Sequence, residues 1–415
     1  MTTIVLPPYT PPPPVPSYSP KPADDESIVA HTPRIRELPT GSYIQRCGND
    51  AVVLADQDPA AEIPSYGRQG LINGFVSVEE RETVSEIVLK VKGKMDFMIS
   101  EGGSMSTKLF NDSFTLWSSQ KASTSVSPSA VPFSVPIRGK FEDENLVAHP
   151  LPPSYEIPWT TVPGLYFKSS YSISVTITRS RSRKLQFLNK SRTITIPFEY
   201  VPRLRPWRPI QPFSDLRADV KAMPEEFRQL SWEVSPRPKS TALPLDLHLF
   251  LPAVEIFGLD DTIPFHVQLS GSVSALQHFV SPHSTHSAAT KTQRKEGLSV
   301  SLVRQVAIEI NGRRASRAFT LASAALVLQP PSYDSLPSLD FSGSLRPHQS
   351  TQTGMFDIGA VRVHDFVVVE LWPIDLDTLH GYQTLRYSHA VKLVTDSWVD
   401  AGSSAGSAMA RFAHR

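Results

Sequence analysis

The sequence predicts an all-β protein made of two consecutive antiparallel β-sandwich domains. Apolar and polar residues alternate with a period of two in many short stretches, as expected for strands with one buried face. Turn residues separate these stretches, as in known sandwich folds. Proline accounts for 38 of the 415 residues, and this density disfavours long helices because proline lacks the N–H that a helix interior needs. Residues 225–230 predict at most one short helix.

The first 40 residues predict a disordered, proline-rich tail. Eight of the first twenty residues are proline, and the stretch that follows stays polar up to Thr40. Such a segment buries too little apolar surface to offset the entropy lost on ordering.

Residues 41–200 predict the first sandwich, because three stretches alternate clearly between apolar and polar residues. They are centred on residues 87–92, 171–178 and 193–198. A serine- and threonine-rich insert at residues 118–129 interrupts this domain.

A proline- and arginine-rich junction is predicted at 201–244, and the second sandwich at 245–397. Residues 245–249, 298–310 and 361–371 read as strands. Asn311-Gly312 follows one of them and is a strong hairpin signal. Polar loops are predicted at 277–296 and 329–352, and a second disordered tail at 398–415.

Composition narrows the possible classes of function. The net charge is +1, so no overall field attracts nucleic acid. Cys47 is the single cysteine, which excludes a disulfide framework and fits a reducing compartment. The chain has no apolar run of the ~18 residues that a membrane span needs, and its start lacks the pattern of a signal peptide. We therefore expect a cytoplasmic protein.

Four short tyrosine motifs in proline context are the most informative functional signal. A proline run is already extended before it binds, and WW domains recognise that shape in an aromatic-lined groove. Two motifs have the strict Pro-Pro-x-Tyr form and two the looser Leu/Val-Pro-x-Tyr form. They end at Tyr9, Tyr18, Tyr155 and Tyr333. The residues predicted to bind a WW domain are Pro7, Pro8, Tyr9, Pro16, Tyr18, Pro330, Pro331 and Tyr333. The alternatives are a solvated tail without a partner for Tyr9 and Tyr18, and a plain turn for Tyr333.

A cationic cluster between two predicted strands is a second candidate site. It consists of Arg179, Arg181, Arg183, Lys184, Lys190 and Arg192. Such a cluster suits an anionic lipid head group or another phosphate, and the alternative is an ordinary solvated hairpin tip. Nucleic acid is not expected, since no aromatic platform accompanies the charges.

Catalytic and metal signals are weak. His278, His283 and His286 lie close together, but no cysteine or carboxylate flanks them. Residues 402–406 match the hydrolase elbow pattern, but the helix and the later acid that this motif requires do not follow. We expect no enzyme activity, no metal and no cofactor.

Several stretches resemble the arrestin family, specifically the α-arrestins of fungi, over residues 45–397. They are 64–68 (PSYGR), 71–76 (LINGFV), 133–137 (FSVPI), 151–155 (LPPSY), 175–177 (VTI), 196–203 (IPFEYVPR), 263–267 (IPFHV) and 359–369. The resemblance implies two arrestin-like, immunoglobulin-like domains, with the motif at Tyr155 serving as part of the first. The inserts at 118–129 and 329–352 have no counterpart in the family that we can place.

The resemblance also implies an arrestin-related trafficking adaptor. Such a protein links WW-domain HECT ubiquitin ligases to membrane transporters or receptors, and thereby promotes their ubiquitination and endocytosis. It would be recruited from the cytoplasm to the plasma membrane or endosomes, where an anionic membrane surface is a further partner. The alternatives are a β-sandwich scaffold that binds WW partners without ubiquitin transfer and, less favoured, an enzyme on a β scaffold.

Overall fold

The computed structural model confirms the all-β prediction. Of the described residues, 59% lie in strands and 6% in helices, which is below the one tenth of helix that we expected. The predicted tails fall almost wholly outside the described residues, and their disorder stays a prediction. The described residues are 39–122, 126–159, 164–180, 190–213, 216–238, 240–279, 297–330, 337–374 and 381–398.

The first half of the chain forms two facing sheets, here called the N-terminal lobe. Their strand orders are β1-β2-β4-β7 and β3-β12-β11-β5-β6. The buried faces of both sheets belong to one apolar cluster. The strands are β1 Gly41–Cys47, β2 Asp50–Gln57, β3 Ser65–Tyr66, β4 Leu71–Ser77, β5 Val84–Ile99, β6 Gly103–Ser118, β7 Ala130–Pro136, β8 Lys140–Glu142, β9 Ala148–Pro150, β10 Tyr155–Ile157, β11 Leu165–Arg179 and β12 Lys190–Tyr200.

The second half repeats this plan in a C-terminal lobe. Its sheets have the orders β13-β14-β16-β20-β19 and β15-β23-β22-β17-β18. The strands are β13 Phe227–Val234, β14 Leu245–Pro252, β15 Ile256–Gly258, β16 Ile263–Ser270, β17 Leu298–Ile310, β18 Arg313–Ser323, β19 Val327–Leu328, β20 Ser338–Leu345, β21 Phe356–Asp357, β22 Val361–Leu371 and β23 Leu385–Val394; the helices are α1 Leu216–Ala222 and α2 Val273–Leu276. Short 3₁₀ turns occupy Arg81–Thr83, Pro224–Glu226 and Gln277–Phe279.

The hairpin predicted from Asn311-Gly312 is confirmed. Strand β17 ends at Ile310, which pairs with Arg313 at the start of β18. Asn311 and Gly312 both have positive φ, 51° and 71°. This is the backbone of a type I′ turn, which matches the right-handed twist of the flanking strands.

Two strands lie in segments for which the sequence predicts no strand. Strand β13 lies inside the predicted junction 201–244, where nearby prolines mask its short alternation. Strand β20 lies inside the predicted polar loop 329–352 and pairs with β16 along its whole length. Its serines, glycine and aspartate are residues typical of a loop in the sequence. In the structure, polar groups of this strand are instead buried in a hydrogen-bonded network.

The two lobes share part of their apolar core. Val306, Ile308 and Ile310 of β17 belong to the same buried cluster as the N-terminal lobe, together with Val361 and Val363 of β22. Their burial favours one packed arrangement of the two sandwiches over a flexible pair.

Candidate functional site: the proline-tyrosine motifs

The motif that ends at Tyr155 is built into the N-terminal lobe. Pro152 and Pro153 are both buried. The Pro152 carbonyl accepts a hydrogen bond from the Tyr171 hydroxyl, and the Pro153 carbonyl accepts one from Ser169 Oγ. A WW groove needs direct access to the proline rings, and the burial of both prolines denies this access.

Tyr155 itself lies at the boundary between the lobes. Its ring makes an edge contact with Phe356, with centroids 5.9 Å apart, and lies 6.3 Å from the ring of Phe167. Burial raises the pKa of this phenol and outweighs the nearby Arg304 guanidinium, whose positive charge acts to lower it. The structure therefore gives this motif a structural role.

Arg304 connects Tyr155 to the C-terminal lobe. Its guanidinium is 2% exposed and donates two hydrogen bonds to the Asp365 carboxylate, at 2.7 and 3.0 Å. A third goes to the Thr353 carbonyl at 2.7 Å. A buried charge persists only when it is paired and hydrogen-bonded, and this arrangement meets both conditions.

The motif that begins at Pro330 is different, because Pro330 is exposed. Its carbonyl accepts a hydrogen bond from Arg217 Nη1 of helix α1 at 2.8 Å. The preceding residue, Gln329, donates its backbone N–H to the Asp340 carbonyl at 2.7 Å. The start of this motif is therefore fixed to the sheet surface, while Pro331 and Tyr333 lie outside the described residues.

Asp340 is the anchor of this surface. Its carboxylate is 1% exposed, accepts hydrogen bonds from Gln268 and Ser338, and lies 3.0 Å from His266 Nε2 and 3.3 Å from Arg217 Nη2. Burial acts to raise its pKa, but the hydrogen bonds and the Arg217 charge outweigh burial and lower the pKa to about 2.

Ser342, His266 and Asp340 form a hydrogen-bonded series, since Ser342 Oγ lies 3.0 Å from His266 Nδ1. Hydrolases use these residue types as nucleophile, base and acid. Here His266 is 2% exposed, and the three side chains lie side by side on strands β16 and β20. We read the series as a structural network that satisfies buried polar groups.

The remaining WW-motif residues Pro7, Pro8, Tyr9, Pro16 and Tyr18 all precede residue 39 and lie outside the described residues. The described chain begins just before β1, which is an edge strand of its sheet.

The described residues of the predicted cationic cluster differ in their environments. Arg179 donates two hydrogen bonds to the buried Asp50 carboxylate, at 2.6 and 2.9 Å, and this pairing raises the pKa of the guanidinium. Arg192 lies 3.6 Å from the same carboxylate and donates to the Cys47 carbonyl. Lys190 is exposed, and Arg181, Arg183 and Lys184 lie outside the described residues.

The acidic partners of Arg179 and Arg304 were not predicted from the sequence. Asp50 is 129 residues from Arg179, and Asp365 is 61 residues from Arg304. Each aspartate does occupy an inward position of an alternating strand, and this placement is the signal that could have revealed a buried ion pair.

No described helix is both long and apolar enough to span a bilayer. Within the described ranges, no group of three His, Cys, Asp or Glu residues is placed to hold a metal ion. Of the three clustered histidines, His278 is described and His283 and His286 are not. Comparison of the sequence with protein-family models and with curated proteins finds no match.

Proposed function

We propose that this protein is an arrestin-like adaptor that brings WW-domain HECT ubiquitin ligases to membrane transporters or receptors. The observation that carries the proposal is the contrast between its two strict motifs. One is buried in a sandwich and serves its structure, whereas the other starts at an exposed proline held on the surface. The resemblance of the sequence to α-arrestins supplies the ligase class and the cargo class.

Several docking motifs on one chain suit this role. A single WW contact is weak, but linking two sites raises the overall affinity by ~10² to 10⁴ when the linker spans both. Tyr9 and Tyr18 are separated by a proline-rich spacer, so they suit a ligase with tandem WW domains. The adaptor would act in the cytoplasm and at the plasma membrane or endosomes.

The main alternative is a scaffold that binds WW partners without ubiquitin transfer. A reconstituted reaction with a HECT ligase, ubiquitin and a membrane transporter separates the two. The adaptor proposal predicts that the transporter is ubiquitinated faster when the full chain is added, and that loss of Tyr9 and Tyr18 removes this effect. WW binding without any increase in ubiquitination would favour the scaffold.

A further inference from the structure

The outer face of the sheet β1-β2-β4-β7 is unusually apolar for a surface. The strand register aligns Ile44, Val53, Phe75 and Pro132 in one row across all four strands. Ile44 is 52% exposed and Phe75 is 39% exposed. A solvated sheet face normally carries polar residues at these alternate positions.

Few charges interrupt this face. Among the residues of the four strands that point to this side, only Arg46 at one end and Asp56 at the other are charged. Asp56 accepts a hydrogen bond from Asn73, which in turn accepts one from Ser134. The other residues on this side are Ser42, Ile44, Ala51, Val53, Ala55, Leu71, Phe75, Ser77, Ala130, Pro132 and Pro136.

The other sheet of the same lobe shows what a solvated face looks like in this protein. Its outer positions on β5 carry Lys90, Lys92 and Lys94. Those on β11 and β12 carry serines and threonines, which hydrogen-bond in pairs such as Thr176 and Thr193. The apolar character is thus specific to one face of the lobe, as expected where a face is covered.

The apolar face continues into a cleft. Leu71, which is 53% exposed, pairs with Pro136 at the edge of the sheet. Pro136 also lines a shallow cleft of about 350 Å³ with Phe114 and Ile137. The ion pair between Asp112 and Arg138 borders the same cleft.

We propose that the N-terminal segment of the same chain, residues 1–38, docks on this face. The segment joins the sheet directly, because only two residues separate its end from Gly41, where edge strand β1 begins. Between Met1 and Ala23 its one charged side chain is Lys21. The rest of that stretch is mainly proline, small polar residues, apolar residues and two tyrosines, which match an apolar face with few charges.

The segment is long enough to cross the face. Neighbouring strands lie ~4.8 Å apart, so the four strands span roughly 15–20 Å, whereas an extended proline-rich chain advances ~3.1 Å per residue. About five to seven residues therefore suffice to cross the sheet. The proline rings and tyrosines of the segment would contact Phe75, Pro132 and Pro136.

This docking would cover Tyr9 and Tyr18 in the free protein. A partner that binds these tyrosines would then compete with the sheet face. The inference goes beyond the proposed function and does not depend on it, because the docking involves this chain alone.

Site-specific photo-crosslinking of the full chain tests the inference. We would introduce Phe75→p-benzoylphenylalanine, irradiate the protein and map the products by mass spectrometry. The matched control is Lys92→p-benzoylphenylalanine on the polar face of the other sheet. We expect links within one chain from position 75 to residues 1–38, and few or none from position 92. Absence of these links, or links only between two copies of the chain, would overturn the proposal.

Proteolysis of a second variant gives an independent readout. Phe75→Asp places a charge on the face without altering the buried core, which an unchanged melting temperature would verify. The rate of proteolysis follows the population of the open form, in which the segment has left the sheet face. With an open form populated at ~10% in the parent and fully in the variant, chymotrypsin cleavage after Tyr9 and Tyr18 should be about tenfold faster in the variant. Equal cleavage rates in the parent and in a folded Phe75→Asp variant would contradict docking on this face.

Discussion

The Tyr155 hydroxyl interacts electrostatically with the buried Arg304 guanidinium across the boundary between the two sandwiches. One residue ends a Pro-Pro-x-Tyr motif in the N-terminal lobe, and the other lies on strand β17 of the C-terminal lobe. A motif that resembles a ligase dock therefore fastens two domains together here. Burial gives this copy of the pattern a structural role, whereas the copy that begins at Pro330 starts at an exposed residue.

Substitutions at Tyr155 should lower stability. Tyr155→Phe keeps the ring beside Phe356 and removes the polar interaction with Arg304, at a cost of about 0.5–1.5 kcal/mol. Tyr155→Ala also leaves a cavity, for about 3–5 kcal/mol in total. Urea unfolding measures both values. WW binding should be unchanged in either variant while it is folded, and a Tyr155→Ala protein that melts like the parent would contradict this assignment.

The ion pair between Arg304 and Asp365 should behave as a buried pair. Asp365→Asn leaves the guanidinium without its counter-charge and should destabilise the protein by about 3–5 kcal/mol. Replacing both partners, as Arg304→Met with Asp365→Leu, should recover much of that loss because no buried charge remains. A double-mutant cycle measured by chemical unfolding gives the coupling. Additive effects of the two changes would show that the pair is not coupled.

Asp340 should make stability depend on pH in the acid range. Its pKa is about 2 in the folded protein, against an ordinary value of 3.8. The folded state therefore favours the ionised form of Asp340. The stabilisation of the fold by this ionised carboxylate is complete above about pH 4 and is lost as the pH falls through the folded pKa. At about 1.4 kcal/mol per pKa unit it amounts to about 2 kcal/mol.

The measurement compares unfolding free energies of the parent and Asp340→Asn between pH 6 and pH 2.5. The gap between them should narrow as the pH falls below 4. Asp246→Asn, at an exposed position on strand β14 of the same sheet, serves as the control. A gap that stays constant over this range would contradict the role given to the carboxylate.

The cationic cluster should bind anionic vesicles through those of its residues that are not paired with Asp50. Reversing Arg181, Arg183 and Lys184 to glutamate should weaken binding on the order of 100-fold, at ~1 kcal/mol per cation near the surface. Arg179→Glu should instead destabilise the N-terminal lobe, because it places a second carboxylate beside the buried one. Flotation with phosphatidylserine vesicles measures the binding.

The control for the vesicle experiment is charge reversal at Arg313 and Arg314, which are exposed at the tip of the β17–β18 hairpin. This change should leave binding almost intact. An equal loss of binding from both reversals would indicate that overall charge, and not the cationic cluster, attracts the membrane.

Much of the fold could be predicted because periodicity is local. The strands at 298–310 and 361–371 were placed from alternation alone, and the turn at Asn311-Gly312 was placed from two residues that tolerate positive φ. Strand β20 was missed because its polar side chains are buried by partners on distant strands. For the same reason Asp50 and Asp365 could not be assigned, since each depends on an arginine far away in the sequence.

Tyr9 and Tyr18 together are the predicted ligase dock, and a titration tests this central claim most directly. A tandem WW fragment would be titrated against the full chain and against Tyr9→Ala, Tyr18→Ala and Tyr333→Ala variants, with melting temperatures recorded alongside. Each single change at Tyr9 or Tyr18 should weaken binding in part, and the double change by more than either, since avidity is lost with the second site. Tyr333→Ala should weaken the binding of the WW fragment further. Parent-like binding by the Tyr9→Ala/Tyr18→Ala variant, with binding abolished by Tyr155→Ala in a folded protein, would contradict the account.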